Sequence, residues 1–383
     1  MIRPADSALT PGSLRWAKPD LRVTSSCPLA NSVCSKKVAA PAVPLTRGQI
    51  PKIPTPIKGP LMPLSLLKSR STLPNLRGAA LALGLIASAA LPIRAQEAKP
   101  AATKPRVADH PGQYVDLLGP DGQPRVRYVY ARDKSTEETT FDTSKVFAHV
   151  MAPGGEQTLT SGPGAESYPH HRGIFVGWNK TVANGKSHDF WHAKETALEH
   201  VSFETGQEPH AAFVRGKIRW VGKDGEAVVD ETRTYRLVDS QDAYAVIDVT
   251  TELKAAGADV ELGGDPEHAG VQFRPSQQVA DAKGAKYTFH AEGIDPTKDL
   301  DLPWVACSFL VDGKPWTVQQ IDHPDNPRGA RWSAYRDYGR FGAFPVIKLT
   351  DGKSQTLKYR FRVIPGETPS RESLSAAAAE YTK

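Results

Sequence analysis

The chain has 383 residues and a formal charge of +6. The basicity sits in the first 95 residues, which hold 13 Lys and Arg against two acidic residues; the other 35 basic and 40 acidic residues leave the remainder near −5. A nucleic-acid-binding reading based on net charge is thereby excluded, and a lone cysteine after that point, Cys307, excludes an internal disulfide framework.

In chain order, residues 1–61 are rich in Pro, Ser and basic residues and show no sustained hydrophobic period. They read as a disordered extension or an over-long gene start, because Met62 stands where a leader should begin. Residues 62–95 read as a secretory signal peptide. Lys68, Arg70 and Arg77 supply the positive region, "GAALALGLIASAAL" the apolar one, and "IRA" a small-residue cleavage site. The apolar run is shorter than the roughly 20 residues of a membrane span, so no stable span is expected after cleavage. Export to the periplasm or beyond follows. Residues 96–106 form an Ala/Lys/Pro linker.

Strand signals recur from 107 to 367. "QYVDLL" and "RVRYVY" flank an Asp-Gly turn; "FVRGKIRWV" and "AVVDETRTYRLV" flank another. "AYAVIDVTTEL", "AGVQFRP" and "KYTFHAEG" follow. "WVACSFLV" and "WTVQQI" flank a third Asp-Gly turn, "FPVIKLT" and "QTLKYRFRVI" a fourth. So many strands without an internal repeat predict one all-β domain, a large antiparallel β-sandwich rather than a propeller. Residues 368–383 predict a short C-terminal helix with Ser370 as N-cap. Polar inserts at 132–146, 153–172, 179–200 and 322–340 become the loops where functional residues concentrate.

The insert 153–172 ends in "YPHHRG". Pro169 biases Tyr168 away from helix, and Gly173 permits a bend into "IFVGW". A strand period of two would send His170 and His171 to opposite faces, so that at most one faces a shared site. Arg172 offers a planar fork to a carboxylate of a ligand or of the protein itself. "HDFWH", His188–His192, has the two-histidine spacing of zinc proteases. That motif needs a helix and a Glu, where this chain has a turn and Asp189. Asp189 and Trp191 instead suit a sugar, the carboxylate accepting hydroxyls and the ring stacking on C–H groups; the alternative is a Trp that fills the core. In "EHAGVQFR", Gln272 and Arg274 share a strand face, joined by His268 if the strand extends that far; the alternative is a solvated face. The insert 322–340 carries Asp322, His323, Asn326, Arg328, Arg336, Asp337 and Tyr338 around two prolines that rigidify it.

Taken together, "HHRGIFVGW…NGKSHDFW", "EHAGVQFR", "DHPDNPR" and "RDYGRFGAFP" resemble the secreted bacterial family labelled PmoA or "methane oxygenase", a domain of unknown function, over residues 110–365. The order of the segments carries the resemblance. Trp178 and the residues inserted before Asp189 depart from the family pattern. The resemblance implies a protein of the bacterial envelope, similar to carbohydrate-processing ones, and an all-β fold similar to the large sandwich of aldose epimerases, the galactose-mutarotase-like supersandwich. An oxygenase copper site on the mature N-terminus would require His there, and cleavage gives Gln96.

Three readings follow. In the first, the protein is a carbohydrate-active enzyme working by proton transfer, as an epimerase, lyase or hydrolase, on a sugar or sugar derivative. His170 or His171 exchanges protons together with His323, Asp322 or Asp337 orients an imidazole or acts as the partner base, and Arg172, Arg274, Arg328 and Arg336 bind oxygens with Asp189, Trp191, Gln272, Asn326 and Tyr338. No cofactor is required. In the second, His170, His171, His268 and His323 hold a divalent metal. In the third, the protein binds carbohydrate without turnover, on Trp191 and Trp304.

Overall fold

The computed structural model describes residues 104–265 and 267–383. The expected leader at 62–95, the segment before it and residues 96–103 of the linker lie outside the described residues. Strands dominate, and every ladder among the described residues is antiparallel. The all-β sandwich expected from the sequence is what the chain forms.

One eight-stranded sheet runs in the order Arg106–His110, Tyr114–Leu118, Pro124–Val129, Phe147–Val150, Ile174–Trp178, Ala269–Phe273, Phe341–Phe344 and Arg331–Trp332. The second runs Lys286–Phe289, Trp304–Val311, Lys314–Asp322, Ser354–Pro365, Ala245–Ala255, Ala227–Val238, Ala211–Val221 and Ala197–Glu208. A small third sheet joins Ile347–Leu349, Val260–Leu262, Thr181–Ala183 and Lys186–His188.

Alternation builds the core. Along Ala227–Val238, Glu231, Arg233, Tyr235 and Leu237 are buried while Thr232, Thr234 and Arg236 are less so. Val115, Val126, Ile174, Val176, Val271 and Phe341 of the first sheet meet Val214, Ile218, Ile247, Val318 and Phe361 of the second in one apolar cluster. Each such side chain contributes about 1.5–3 kcal/mol by leaving water. Inside this layer sits one complete polar unit. Arg233 donates through Nε and Nη2 to the two oxygens of Glu231, at 2.6 and 2.7 Å. Trp220 and Thr251 donate to the same carboxylate, each at 2.7 Å. Arg233 Nη1 and Tyr235 OH reach across to the backbone oxygens of Val146 and Ile174 and so tie the second sheet to the first.

The expected hairpins occur, with one correction. Ile347–Leu349 and Ser354–Pro365 flank an Asp-Gly turn but belong to different sheets. The turn connects layers, and local sequence does not distinguish this from a hairpin. Two short helices also lie within expected loop or strand-linking regions. Glu137–Asp142 is closed by a capping box on Thr136, and Gln277–Ala282 follows the strand Ala269–Phe273. The C-terminal helix Arg371–Tyr381 starts at Ser370, whose hydroxyl accepts from Ser373 N. It packs Leu374 and Ala378 onto Trp304, Ala306 and Ile321. Trp304 is therefore core, and the platform role considered for it does not hold.

Candidate functional site

The site is built on the outer side of the first sheet. In the strand Ile174–Trp178, Ile174, Val176 and Trp178 point into the inter-sheet core, yet all five residues are buried. Phe175 points the other way, into a separate cluster with Phe147 and Trp191. Its neighbour Gly177 explains how that cluster closes: a Cβ there would lie 2.6 Å from the Phe190 carbonyl oxygen, so the segment carrying Trp191 lies directly against the sheet. On the adjoining strand, Gln272 and Arg274 share the outer face as expected, and both are fully buried. The expected alternative of a solvated face is overturned because loops cover them. Arg340 completes the layer, donating to Gln272 Oε1 at 2.8 Å and to Tyr338 OH at 3.2 Å.

His170 and His171 do not part. Their rings lie 4.2 Å apart between centroids. The strand begins at Ile174, so strand alternation does not govern them. They follow a turn in which His171 N donates to Tyr168 O, with Tyr168 at φ +56°. Gly173, at φ +54°, then swings the chain into the strand; a Cβ there would stand 2.0 Å from the Ala148 carbonyl oxygen.

Two more histidines join this pair. His192 lies 4.5 Å from His170 and His268 lies 5.1 Å from His192, between ring centroids. Each is held by a carboxylate three residues before it. His192 Nδ1 is 2.7 Å from Asp189 Oδ2, and His268 Nδ1 is 2.8 Å from Asp265 Oδ1. For Asp189, burial raises the carboxyl, but bonds from His192 and Trp191 outweigh it and leave it below the usual range. Burial likewise opposes Asp265, and Asn179, His268 and the backbone overcome it. Ionised carboxylates only accept, so both imidazoles carry hydrogen on Nδ1 and present Nε2. A depression of about 530 Å³ opens beside Asp189 and His192, lined also by Lys194, Glu195, Thr196 and Lys223.

Beneath these rings the chemistry changes. Burial, then Lys145 and the neighbouring imidazoles, pushes His170 down to about 2. Burial, then Arg340, holds His171 well below its ordinary range. Both are neutral at physiological pH. Trp191 Nε1 donates to His171 Nε2 at 3.2 Å, which leaves the hydrogen of His171 on Nδ1. Lys145, itself buried, donates to the carbonyl oxygens of His170 and Trp191 and joins the two loops; burial takes its ammonium well below its usual range.

Several expected roles change. Arg172 is buried and braces the turn, donating to the carbonyls of Pro169 and Phe141 at 3.1 and 2.8 Å. Trp191 is buried against Phe147 and Phe175, so it is a wall and not an open stacking platform. Arg336 pairs with Glu267 and links two loops of the site. His268 precedes its strand, which starts at Ala269, and joins the site through its turn. Tyr338 stacks on Tyr168 at 4.8 Å, whereas Asp337 is exposed. His188 and His192 flank no helix; His188 ends the strand Lys186–His188.

The "DHPDNPR" segment goes elsewhere. His323 sits edge-on to Tyr381 of the C-terminal helix, in a depression on the outer face of the second sheet with Thr356, Lys358 and Arg236. The sandwich core separates that face from the histidine cluster. Asn326 donates to Asp322 Oδ1 at 2.6 Å and to Lys358 O at 2.7 Å, and accepts from Lys358 N; it is a latch for the turn. Arg328 is exposed. The proposed partnership of Asp322, His323, Asn326 and Arg328 with His170 is therefore overturned, as is the metal set that needed His323. Among the described residues no group of three or more His, Cys, Asp or Glu is arranged to hold a metal ion.

Asp322 is still a useful reporter. Burial raises it to about 7, opposed by Asn326 and supported by Asp301. Between pH 4 and 7 the folded chain keeps a proton that the unfolded chain has lost, so stability falls as pH rises across that window. Asp322→Asn keeps the acceptor for Asn326 and removes the titration. Denaturant melts at pH 5 and pH 8 should show the variant gaining on the natural chain at pH 8 relative to pH 5 by about 3 kcal/mol, because two tenfold steps in proton affinity at about 1.4 kcal/mol each fall inside that window. An unchanged difference between the two pH values would contradict this account.

Sequence reasoning missed Lys145, Tyr168, Asp265 and Arg340, and gave His192 no role beyond the discarded zinc motif. Spacing offered one usable signal: both "DFWH" and "DPEH" place Asp three residues before His. Among solved structures, the galactose 1-epimerase of Lactobacillus acidophilus NCFM matches at 9% identity and TM-score 0.38, over 69% of this chain and 100% of that one. The heparan sulfate lyase HepC of Pedobacter heparinus matches at 9% identity and TM-score 0.37, over 71% of this chain. This chain spans 38% of that lyase's length. A putative aldose 1-epimerase of Escherichia coli K12 matches at 11% identity and TM-score 0.27, over 69% of this chain and 99% of that one. No curated protein matches the sequence. Residues 117–379 match the family described as "Family of unknown function (DUF6807)", and the chain belongs to that family.

Proposed function

We propose that the protein is an exported enzyme that moves a proton on a sugar or sugar derivative, in an epimerisation, elimination or hydrolysis. One observation carries the reading: the pairs Asp189–His192 and Asp265–His268 stand side by side, with ring centroids 5.1 Å apart. A carboxylate that fixes Nδ1–H leaves Nε2 as a base and stabilises the imidazolium formed when it takes a proton. Two such units allow one imidazole to accept a proton while the other donates one. The adjoining depression is walled by Lys194, Glu195, Thr196 and Lys223, side chains that exchange hydrogen bonds with hydroxyl groups. The leader expected at 62–95 and the resemblance to the secreted family labelled PmoA suit an envelope enzyme.

The test is solvent exchange. The purified protein is incubated in D2O with a panel of free, acidic and oxidised mono- and disaccharides, and C–H signals are followed by NMR. Deuterium entering one carbon, or a new product, is expected for at least one sugar. Binding without exchange or product across the panel would leave a carbohydrate-binding protein and overturn the enzyme reading. Zinc, copper or iron retained stoichiometrically through dialysis would replace proton transfer by metal chemistry.

A further inference from the structure

Lys145, Arg172, Arg274 and Arg340 are each 2% exposed or less, and none has a carboxylate within ion-pair distance among the described residues. Elsewhere this chain treats a buried cation differently: Arg233 is matched by Glu231 on two bonds. Buried charges are ordinarily paired, because an unpaired one is costly. Asp189 acts on Lys145, and Asp142 on Arg172, only at longer range. Arg274 and Arg340 have aromatic faces instead. The Arg274 guanidinium stands 4.8 Å from the Tyr338 ring and 6.0 Å from that of Tyr168, and Arg340 stands 5.2 Å from Trp191. Neutral acceptors satisfy only part of their donors. Among the described residues, Arg274 Nε is buried without a partner, as are Arg172 Nη1 and His171 Nδ1.

Above them lies one exposed group. Tyr168 is 46% exposed and held at φ +56°, a conformation that costs a non-glycine residue energy. Its ring stacks on His171 at 5.3 Å and on Tyr338 at 4.8 Å. It therefore covers Arg274 and His171, on the side of half-buried His170.

We propose that this layer is an oxyanion subsite, that Tyr168 is its displaceable cover, and that the substrate is a sugar bearing a carboxylate or sulfate. The planar donors of Arg274 and Arg340 suit a two-oxygen anion. His171, neutral with hydrogen on Nδ1, adds a further donor. A sugar anchored there by its oxyanion would lie against His170, whose ring adjoins that of His192 and, through it, that of His268. The inference rests on the sugar reading above and narrows it to acidic sugars.

Titration calorimetry of the full folded chain with glucuronate, glucose 6-sulfate, glucose and inorganic sulfate tests it. At least one of the two acidic sugars should bind 10-fold or more tighter than glucose, and the stronger identifies the oxyanion. Arg340→Gln should reduce that preference to less than 3-fold, with Arg340→Lys intermediate. Tyr168→Ala changes an exposed side chain and should tighten acidic-sugar binding, which keeps the test valid if Arg340→Gln fails to fold. Glucose binding as well as either acidic sugar, or inorganic sulfate binding as well as both, overturns the acidic-sugar subsite. In the first case neutral-sugar exchange would leave the enzyme reading standing. Acidic-sugar preference without solvent exchange would overturn only the enzyme reading, and no binding by any sugar overturns both.

Discussion

Glu231→Gln is expected to destabilise the fold by about 3–5 kcal/mol, the scale for breaking a buried ion pair by removing one charge. The carboxylate is fully buried and accepts from Arg233 twice, Trp220 and Thr251. An amide of the same shape loses the charge and turns NH2 toward an Arg233 N–H and either Trp220 or Thr251, of which only the Thr251 hydroxyl can accept, so at least one Arg233 donor is orphaned and Arg233 is left unpaired. Arg233 also holds Val146 O, and Val146 directly follows Lys145 and precedes Phe147 of the site floor. Loss of stability and loss of the site should therefore appear together. Urea denaturation measures the first. The double change Glu231→Leu with Arg233→Met should cost less than Glu231→Gln alone, because it removes both charges and fills the space with apolar atoms. A single-variant loss under about 1 kcal/mol would show that the pair is dispensable.

For the substrate found by solvent exchange, Asp189→Asn and Asp265→Asn should each lower kcat by about 10²–10⁴-fold, the range for general acid–base catalysis. An amide can donate to Nδ1 as readily as accept from it. The hydrogen then moves to Nε2, the atom that must act as base. His192→Gln and His268→Gln should lose comparable activity, and each Asp/His double variant should lose little more than its His variant, since the pair acts as one unit. Steady-state kinetics checks this, with KM the control: a carboxylate that only bound substrate would raise KM and leave kcat. Independent, additive losses within a pair would contradict the dyad assignment.

Much of the architecture was legible from the sequence. Period-two runs and Asp-Gly turns gave the strands, and the capping serine gave the C-terminal helix, because these features are local. The turn at Asp351 misled because a turn reports a reversal and says nothing of the partner strand. For the site, residue chemistry singled out His170, His171, Asp189, Gln272 and Arg274, which the fold gathers on the outer side of the first sheet, but the strand period parted the two histidines that the turn before Ile174 keeps together. It failed for His323, whose loop looked equally rich but leaves the second sheet on its other face. It also failed for Lys145 and Arg340, which look like ordinary surface cations until the loops close over them.

The histidine pair shows where that division lies. That His170 and His171 precede a bend is readable from local residues alone, since Pro169 and Gly173 shape the backbone there whatever surrounds it. The sequence by itself determined the alternation that sends Gln272 and Arg274 to one face, since a strand's pleat has only two sides. Which imidazoles meet was decided only by tertiary structure. His192 and His268 come from turns 76 residues apart, and strand pairing of Ile174–Trp178 with Ala269–Phe273 brings their loops to one edge. The same packing separated His323 from them by the thickness of the core and left Arg274 and Arg340 buried with no carboxylate at ion-pair distance among the described residues. Charge pairing is a property of space, and a chain of residues does not state it until the sheets are assembled.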